Sequence, residues 1–420
     1  MPLPFRIGLV CIIAAFVAGQ INRGIYRLAW SPRNIGPWSP PADGAPDRKW
    51  WDRFPIVGWF GMARESKIHG ETFWHRPLLI ECAFVLGVAL LYVHELNKGF
   101  YPLGAVAPSL KTLYCQFAAH FALISLLIVA TFIDIDEKTI PDRITVSGAL
   151  LGLLFAAALP ESLPPVWIPF ANPPIFVSQL TTTAPFKAPP WLNGPAGLAI
   201  AISCVGGWIY GLAPKIVWYR SGVARFFKYL IASMLRHSHT KWYIIGFVVL
   251  AGLLSAVWSI GGTRWESLLT SVVGLAAGGA IVWGIRIFAG VALQREAMGF
   301  GDVTLMAMMG SFLGWQATVV IFFIAPFSGS VIAILQMLIT GRRDIPYGPF
   351  LASAGLLCVL AWPVVWPQIE MVMMMFDAFA QVFGIGVGQL ILLTAIGFFV
   401  LVGISLAIVN LCKRMLGFTE

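Results

Sequence analysis

The sequence predicts an all-α, polytopic membrane helical bundle of about 10–11 transmembrane helices with a cytoplasmic loop after the first. Of 420 residues 58% are hydrophobic and 11% charged, with mean hydropathy +0.82, which leaves too little polar surface to clothe a soluble chain of this length. Apolar runs near the roughly 20 residues that a span requires recur from end to end. The 28 Lys and Arg, which give a net charge of +9, sit in loops beside those runs instead of forming one basic domain. That is the positive-inside pattern; it points to membrane lipid as the partner and to no nucleic acid.

The spans are read at 7–21, 77–93, 113–133, 144–158, 195–213, 243–260, 267–291, 303–313, 316–339, 347–366 and 387–411. Arg6 and the apolar run to Gly19 are kept as a span, because no small-residue cleavage site leads into a soluble domain. The loop from Arg23 to Arg76 carries nine Lys and Arg, which sets it in the cytoplasm and the N-terminus outside. Alternation then puts Asp134–Arg143, the basic loop from Lys215 to Lys241, Arg295–Asp302, Gly341–Arg343 and the tail with Lys413 and Arg414 inside, and the Pro-rich stretch 160–192 outside. Val217–Arg236 mixes aromatic and basic residues; it reads as an anchored connector, with an interfacial amphipathic helix as the alternative. Residues 367–385 form an outer stretch with no assigned chemistry.

Ionised carboxylates near hydrocarbon are costly, so they persist where they are useful or can reach water. Acids concentrate in two places, Asp134, Asp136, Glu137 and Asp142 in one and Glu296 and Asp302, next to Gly299 and Gly301, in the other. Four spans separate Asp134 from Asp302, an even number, so both carboxylates come to the cytoplasmic edge. Two carboxylates held together do not both ionise easily. The charged one takes a proton from an attacking water, and the protonated one hydrogen-bonds the scissile carbonyl and helps the amine leave, with no metal or cofactor needed. Gly299 and Gly301 would let the backbone turn and a substrate strand approach. An equally open reading of Asp142 and Asp302 is that each simply opens an apolar helix as its N-cap.

At these residues the sequence resembles the prepilin peptidases, membrane aspartyl proteases of the Gly-x-Gly-Asp type. Asp134 followed by Pro141-Asp142 resembles one family motif and Gly299-Phe300-Gly301-Asp302 the other, trailed by a Gly314-Trp315-Gln316 turn. Gly19-Gln20-Ile21-Asn22 and Ile25–Leu28 resemble the entry to the family's first cytoplasmic loop, Trp51-Asp52 with Phe54–Trp59 its middle, and Arg76-Pro77 with Glu81 its exit. Ile345–Phe350 resembles the segment before the family's last span. The resemblance covers 1–158 and 267–366 and implies a bacterial inner-membrane enzyme that cleaves prepilin or pseudopilin leader peptides, with Asp134 and Asp302 as the catalytic pair and Gly299, Gly301, Asp142, Asp136 and Glu137 as motif support.

On this reading 1–22 is the first span, 23–76 the cytoplasmic loop, 77–158 and 267–366 the two halves of the peptidase core, 159–266 an insertion with an extra helical hairpin, and 367–420 an added C-terminal span. Many family members carry two Cys-x-x-Cys pairs in the loop, suited to tetrahedral zinc. Here 23–76 holds no cysteine, so no metal is expected; all six cysteines lie in or beside apolar stretches and read as core residues. The family also N-methylates its product with S-adenosylmethionine, a cofactor relevant here only if that activity is retained. Thr304 stands where the family usually has Lys. A proton- or cation-coupled transporter and a degenerate scaffold are the competing readings; transport acids usually sit near the midplane of repeated halves, and no repeat is visible. His237-Ser238-His239 lacks a carboxylate partner and reads as a solvated turn.

Overall fold

In a computed structural model, residues 2–97, 99–168, 173–213, 240–293, 298–340 and 346–415 are described. The connector Val217–Arg236, the His237-Ser238-His239 turn, Arg295, Glu296 and the Arg342-Arg343 turn lie outside them. In chain order the helices are α1 (Leu3–Arg27), α2 (Val57–Met62), α3 (Ser66–His69), α4 (His75–Leu96), α5 (Leu110–Glu137), α6 (Asp142–Ala158), α7 (Pro195–Leu212), α8 (Thr240–Ile260), α9 (Gly262–Leu293), α10 (Phe300–Thr340), α11 (Gly348–Leu360), α12 (Trp362–Phe383) and α13 (Val387–Met415). Two short strands, β1 (Pro165–Trp167) and β2 (Val177–Gln179), pair antiparallel with Val166 opposite Ser178.

Among the described residues eight helices are long and apolar enough to cross a membrane, nine if the bent pair α11–α12 is one span. The count falls below eleven for two reasons. At 17 residues, or about 25 Å, α6 is short for a span, yet it runs from Asp142 beside Asp302 to Pro160 on the opposite side and so passes between the same two ends as its neighbours. The runs 303–313 and 316–339 are continuous within α10, but Gly314 (φ +80°) divides it into two arms that coincide with those two runs.

That break folds α10 back on itself. A Cβ at Gly278 of α9 would meet both the Met306 carbonyl and Thr318, which lie on opposite sides of the Gly314 turn, so the two arms flank one stretch of α9. Gly274 and Gly310 bring the α9 and α10 backbones into contact, the close packing that small residues four apart, such as Gly274 and Gly278, allow between helices. The arm that follows Asp302 is the most enclosed part of the molecule: Leu305, Met306, Met308 and Met309 are fully buried. Gly148 and Gly152 of α6 face Met308 and Ser311 of that arm without room for a side chain. Thr145 completes the junction through a 2.9 Å hydrogen bond to Thr304.

On the far side from Asp302 the turn is capped by the irregular stretch around β1 and β2. Its carbonyls need donors beside apolar helices, and the helices supply them. Trp315 donates to Thr182 (2.8 Å), Gln316 to Thr181 (2.9 Å), Trp265 to Leu192 (2.9 Å), and Trp362 and Trp366 to Pro165 and Trp167 (both 2.7 Å). The last two belong to α12, which departs from α11 at 94°. Trp362, Trp366 and Ile369 of α12 are buried while Met371, Met374, Met375, Phe379 and Phe383 are exposed, the two-faced pattern of a helix lying along a membrane surface.

Residues 23–76 fold around buried charges. Arg48 pairs with Glu65 through two 3.2 Å bonds and also donates to the carbonyls of Gly36 and Ser39. Arg64 pairs with Asp52. Burial pushes the Asp52 carboxyl up, but the Arg64 hydrogen bonds, the Lys49 amide and the Arg64 and Arg48 charges outweigh it and hold the group below the usual carboxylate range. Glu81 of α4 docks the loop against α1: it accepts from Asn22 (2.9 Å), the Trp59 indole (2.8 Å) and the Ile56 amide.

Candidate active site

Asp134 lies in the last turn of α5. The helix stops just beyond it because Lys138 adopts a left-handed conformation (φ +55°), from which its amide caps the Asp134 carbonyl at 2.8 Å. Pro141 then opens α6. The Asp134 carboxylate is 4% exposed and accepts a 3.0 Å hydrogen bond from the Gly348 amide at the start of α11. Asp302, 7% exposed, lies in the first turn of α10 and reaches back to the Gly299 amide, the bond an acid at the third helical position makes.

The two carboxylates face one cavity of about 1460 Å³ and are near enough for their charges to interact. Asp142, Gly299, Gly301, Arg27, Trp30, Arg143 and Tyr347 also line it. Its size exceeds the usual 300–1,000 Å³ of a small-molecule site and suits a length of peptide. Burial, with Asp302 facing it, pushes the Tyr347 hydroxyl up to about 12, so it remains a donor at neutral pH.

The sequence-predicted residues divide into two groups. Asp134, Asp302, Asp142, Gly299 and Gly301 meet at the cavity. A Cβ on Gly301 would lie 2.8 Å from that of Ile140, so Gly301 lets α10 start against the turn after α5; Gly299 has room, its nearest neighbour being Asp302 at 3.5 Å. Asp142 is the first residue of α6 and makes no capping bond, because Pro141 takes the cap position. Asp136 and Glu137 do not line the cavity. Asp136 lies about 200° round the helix from Asp134 and is gripped by Arg76 at 2.9 and 3.0 Å. Glu137 accepts the amides of Trp30 (2.5 Å) and Ser31 (3.0 Å). Sequence reasoning gave no role to Tyr347, Gly348 or Trp30, although the Pro346-Tyr347-Gly348-Pro349 run was a visible signal.

The loop's donors do not fit a tetrahedral zinc site. His69 is engaged by Glu65 at 3.4 Å and His75 packs edge-on against Trp74. Among the described residues no three His, Cys, Asp or Glu side chains form a group that could hold a metal.

The model of the type IV leader peptidase family matches residues 121–181 and 230–334, the two stretches that carry Asp134 and Asp302. The chain matches the type IV leader peptidase family. The interval between the matched stretches, 182–229, contains α7. Among individual relatives, a prepilin leader peptidase/N-methyltransferase of Aeromonas hydrophila is 33% identical over 97 residues, 22% of this chain and 33% of the relative. The protein of that name from Burkholderia pseudomallei (strain K96243) is 34% identical over 109 residues, 25% of this chain and 34% of the relative. That of Myxococcus xanthus is 29% identical over 136 residues, 32% of this chain and 38% of the relative. The chain thus spans about a third of the length of the leader peptidases it matches. No solved structure gives a significant match.

Proposed function

We propose that this chain is a membrane aspartic endopeptidase that cleaves the leader peptide of type IV prepilins or pseudopilins at the cytoplasmic face of the inner membrane. The observation that carries the reading is the meeting of two buried carboxylates, from α5 and α10, at one peptide-sized cavity. One carboxyl keeps a proton because two adjacent charges are unfavourable; the ionised partner draws a proton from water as that water attacks the scissile carbonyl. The protonated partner hydrogen-bonds the developing oxyanion and then donates to the departing amine. The Gly348 amide fixes the Asp134 carboxylate, and Gly301 lets α10 approach. The cytoplasmic face is supported by Arg27, Arg76 and Arg143 at the same end of the bundle as the cavity, in keeping with the positive-inside rule.

Both acids lie in helix ends, not midway along a span, which disfavours ion transport. The test of the peptidase reading is purified protein incubated with a purified prepilin in detergent, with the product mapped by mass spectrometry. One cut between the leader and the apolar helix is expected; an intact prepilin under conditions where the protein remains folded would reject the assignment.

A further inference from the structure

The chain leaving α1 does more than connect. Arg27, Leu28, Ala29, Trp30 and Pro32 line the same cavity as Asp134 and Asp302. This strap is not helical beyond Arg27, yet its end is tied back to its start and its middle is held from α5. The Arg33 amide donates back to the Tyr26 carbonyl at 2.8 Å, and Glu137, one turn beyond Asp134, accepts the consecutive amides of Trp30 and Ser31. A charged acceptor holding two adjacent backbone donors is among the stronger hydrogen-bond arrangements, so the strap's position is coupled to the end of the helix that carries Asp134. The large apolar side chain it exposes is Trp30, 88% accessible.

We propose, resting on the leader-peptidase reading, that the strap is the substrate-gripping wall of the cavity, with Glu137 as its positioning residue and the Trp30 indole packing on an apolar side chain of the extended substrate beside the scissile bond. Trp is the side chain that most often supplies such an anchor, because a rigid ring covers a large area with little loss of rotamer freedom. Asp136 serves the same end from the other side, tying the start of α4 to α5 through Arg76.

Steady-state cleavage of purified prepilin tests this. Trp30→Ala is expected to raise KM about tenfold while kcat stays within about twofold, the signature of lost binding and not lost chemistry. Trp30→Phe restores most of the affinity. Glu137→Gln shifts KM in the same direction, and in the Trp30→Ala background it adds little, since both act through one contact. Trp191→Ala, an indole 53% exposed on the outer side, leaves both constants at the parent values. An active parent whose KM is unmoved by Trp30→Ala, including the case where only membrane retention changes as for an interfacial anchor, overturns the strap's role. So does a Glu137→Gln variant that loses kcat with KM intact. A parent that never cleaves prepilin defeats the peptidase reading instead, and the two failures are distinct.

Discussion

Replacing Gly348 with Ala puts a methyl group where the Asp134 carboxylate lies. The new carbon would stand 2.9 Å from Ile140 Cδ1 and 3.1 Å from Asp134 Cγ, with Asp134 Oδ2 closer still. Ordinary contacts to carbon begin at about 3.5 Å, so the carboxylate has to withdraw by about 1 Å. Losing about 1 Å of registration at a reacting group costs on the order of 10²-fold in rate, or about 2.7 kcal/mol. Folding should survive, because Gly348 begins a helix and Ala is the better helix former. Gly384→Ala provides the contrast. That residue ends α12 at φ +65° with nothing within 4 Å, so Ala there strains the backbone by about 1 kcal/mol and touches no catalytic group. The assay is prepilin cleavage beside thermal unfolding in the same detergent. A roughly hundredfold loss of kcat for Gly348→Ala, against a lowered Tm with parental kcat for Gly384→Ala, is expected. Parental kcat in Gly348→Ala would refute the placement of Asp134 in the chemistry.

Glu81→Leu leaves the Trp59 indole and the Ile56 amide without their acceptor, and Asn22 with only the Pro77 carbonyl, and should cost about 3 kcal/mol, read as a fall in Tm. Asp52 has a folded pKa below its unfolded value of about 3.9; its contribution is therefore complete above that value and lost as pH falls through the folded one. Limited proteolysis of the 23–76 loop should show resistance at pH 7 and opening below about pH 4, a step that Asp52→Asn removes. Because ion pairs hold that loop, a strong chelator should leave both its protease resistance and prepilin cleavage unchanged; loss of either would reveal a metal.

Hydropathy and charge sidedness were enough to read the helical bundle, and the even span count between Asp134 and Asp302 was enough to expect them at one end. The Gly314-Trp315-Gln316 run also announced its turn, since a glycine between two apolar runs can adopt the left-handed conformation that reverses the chain. Other features were not legible because distant partners decide them. Asp136 and Glu137 look no different from Asp134 in the sequence; what separates them is Arg76, 60 residues away, and the Trp30 amide, 107 residues away. Residues 362–383 are apolar enough to extend a span, and no periodicity reports the 94° turn; it takes the Trp362 and Trp366 bonds to the outer cap to expose it. The loop's fold was equally hidden: Arg48 and Arg64 served the sequence reading only as positive charges that set sidedness, and nothing in the sequence pairs them with Glu65 and Asp52 in a buried setting.

The most direct measurement is the single-turnover rate of prepilin cleavage by Asp134→Asn, Asp302→Asn and the double variant, each shown to be folded. Groups that share one proton and act as a unit lose their function together, so each single variant should be as inactive as the double. A single variant that keeps a rate within tenfold of the parent, or a double variant far slower than either single, would contradict the shared-proton pair.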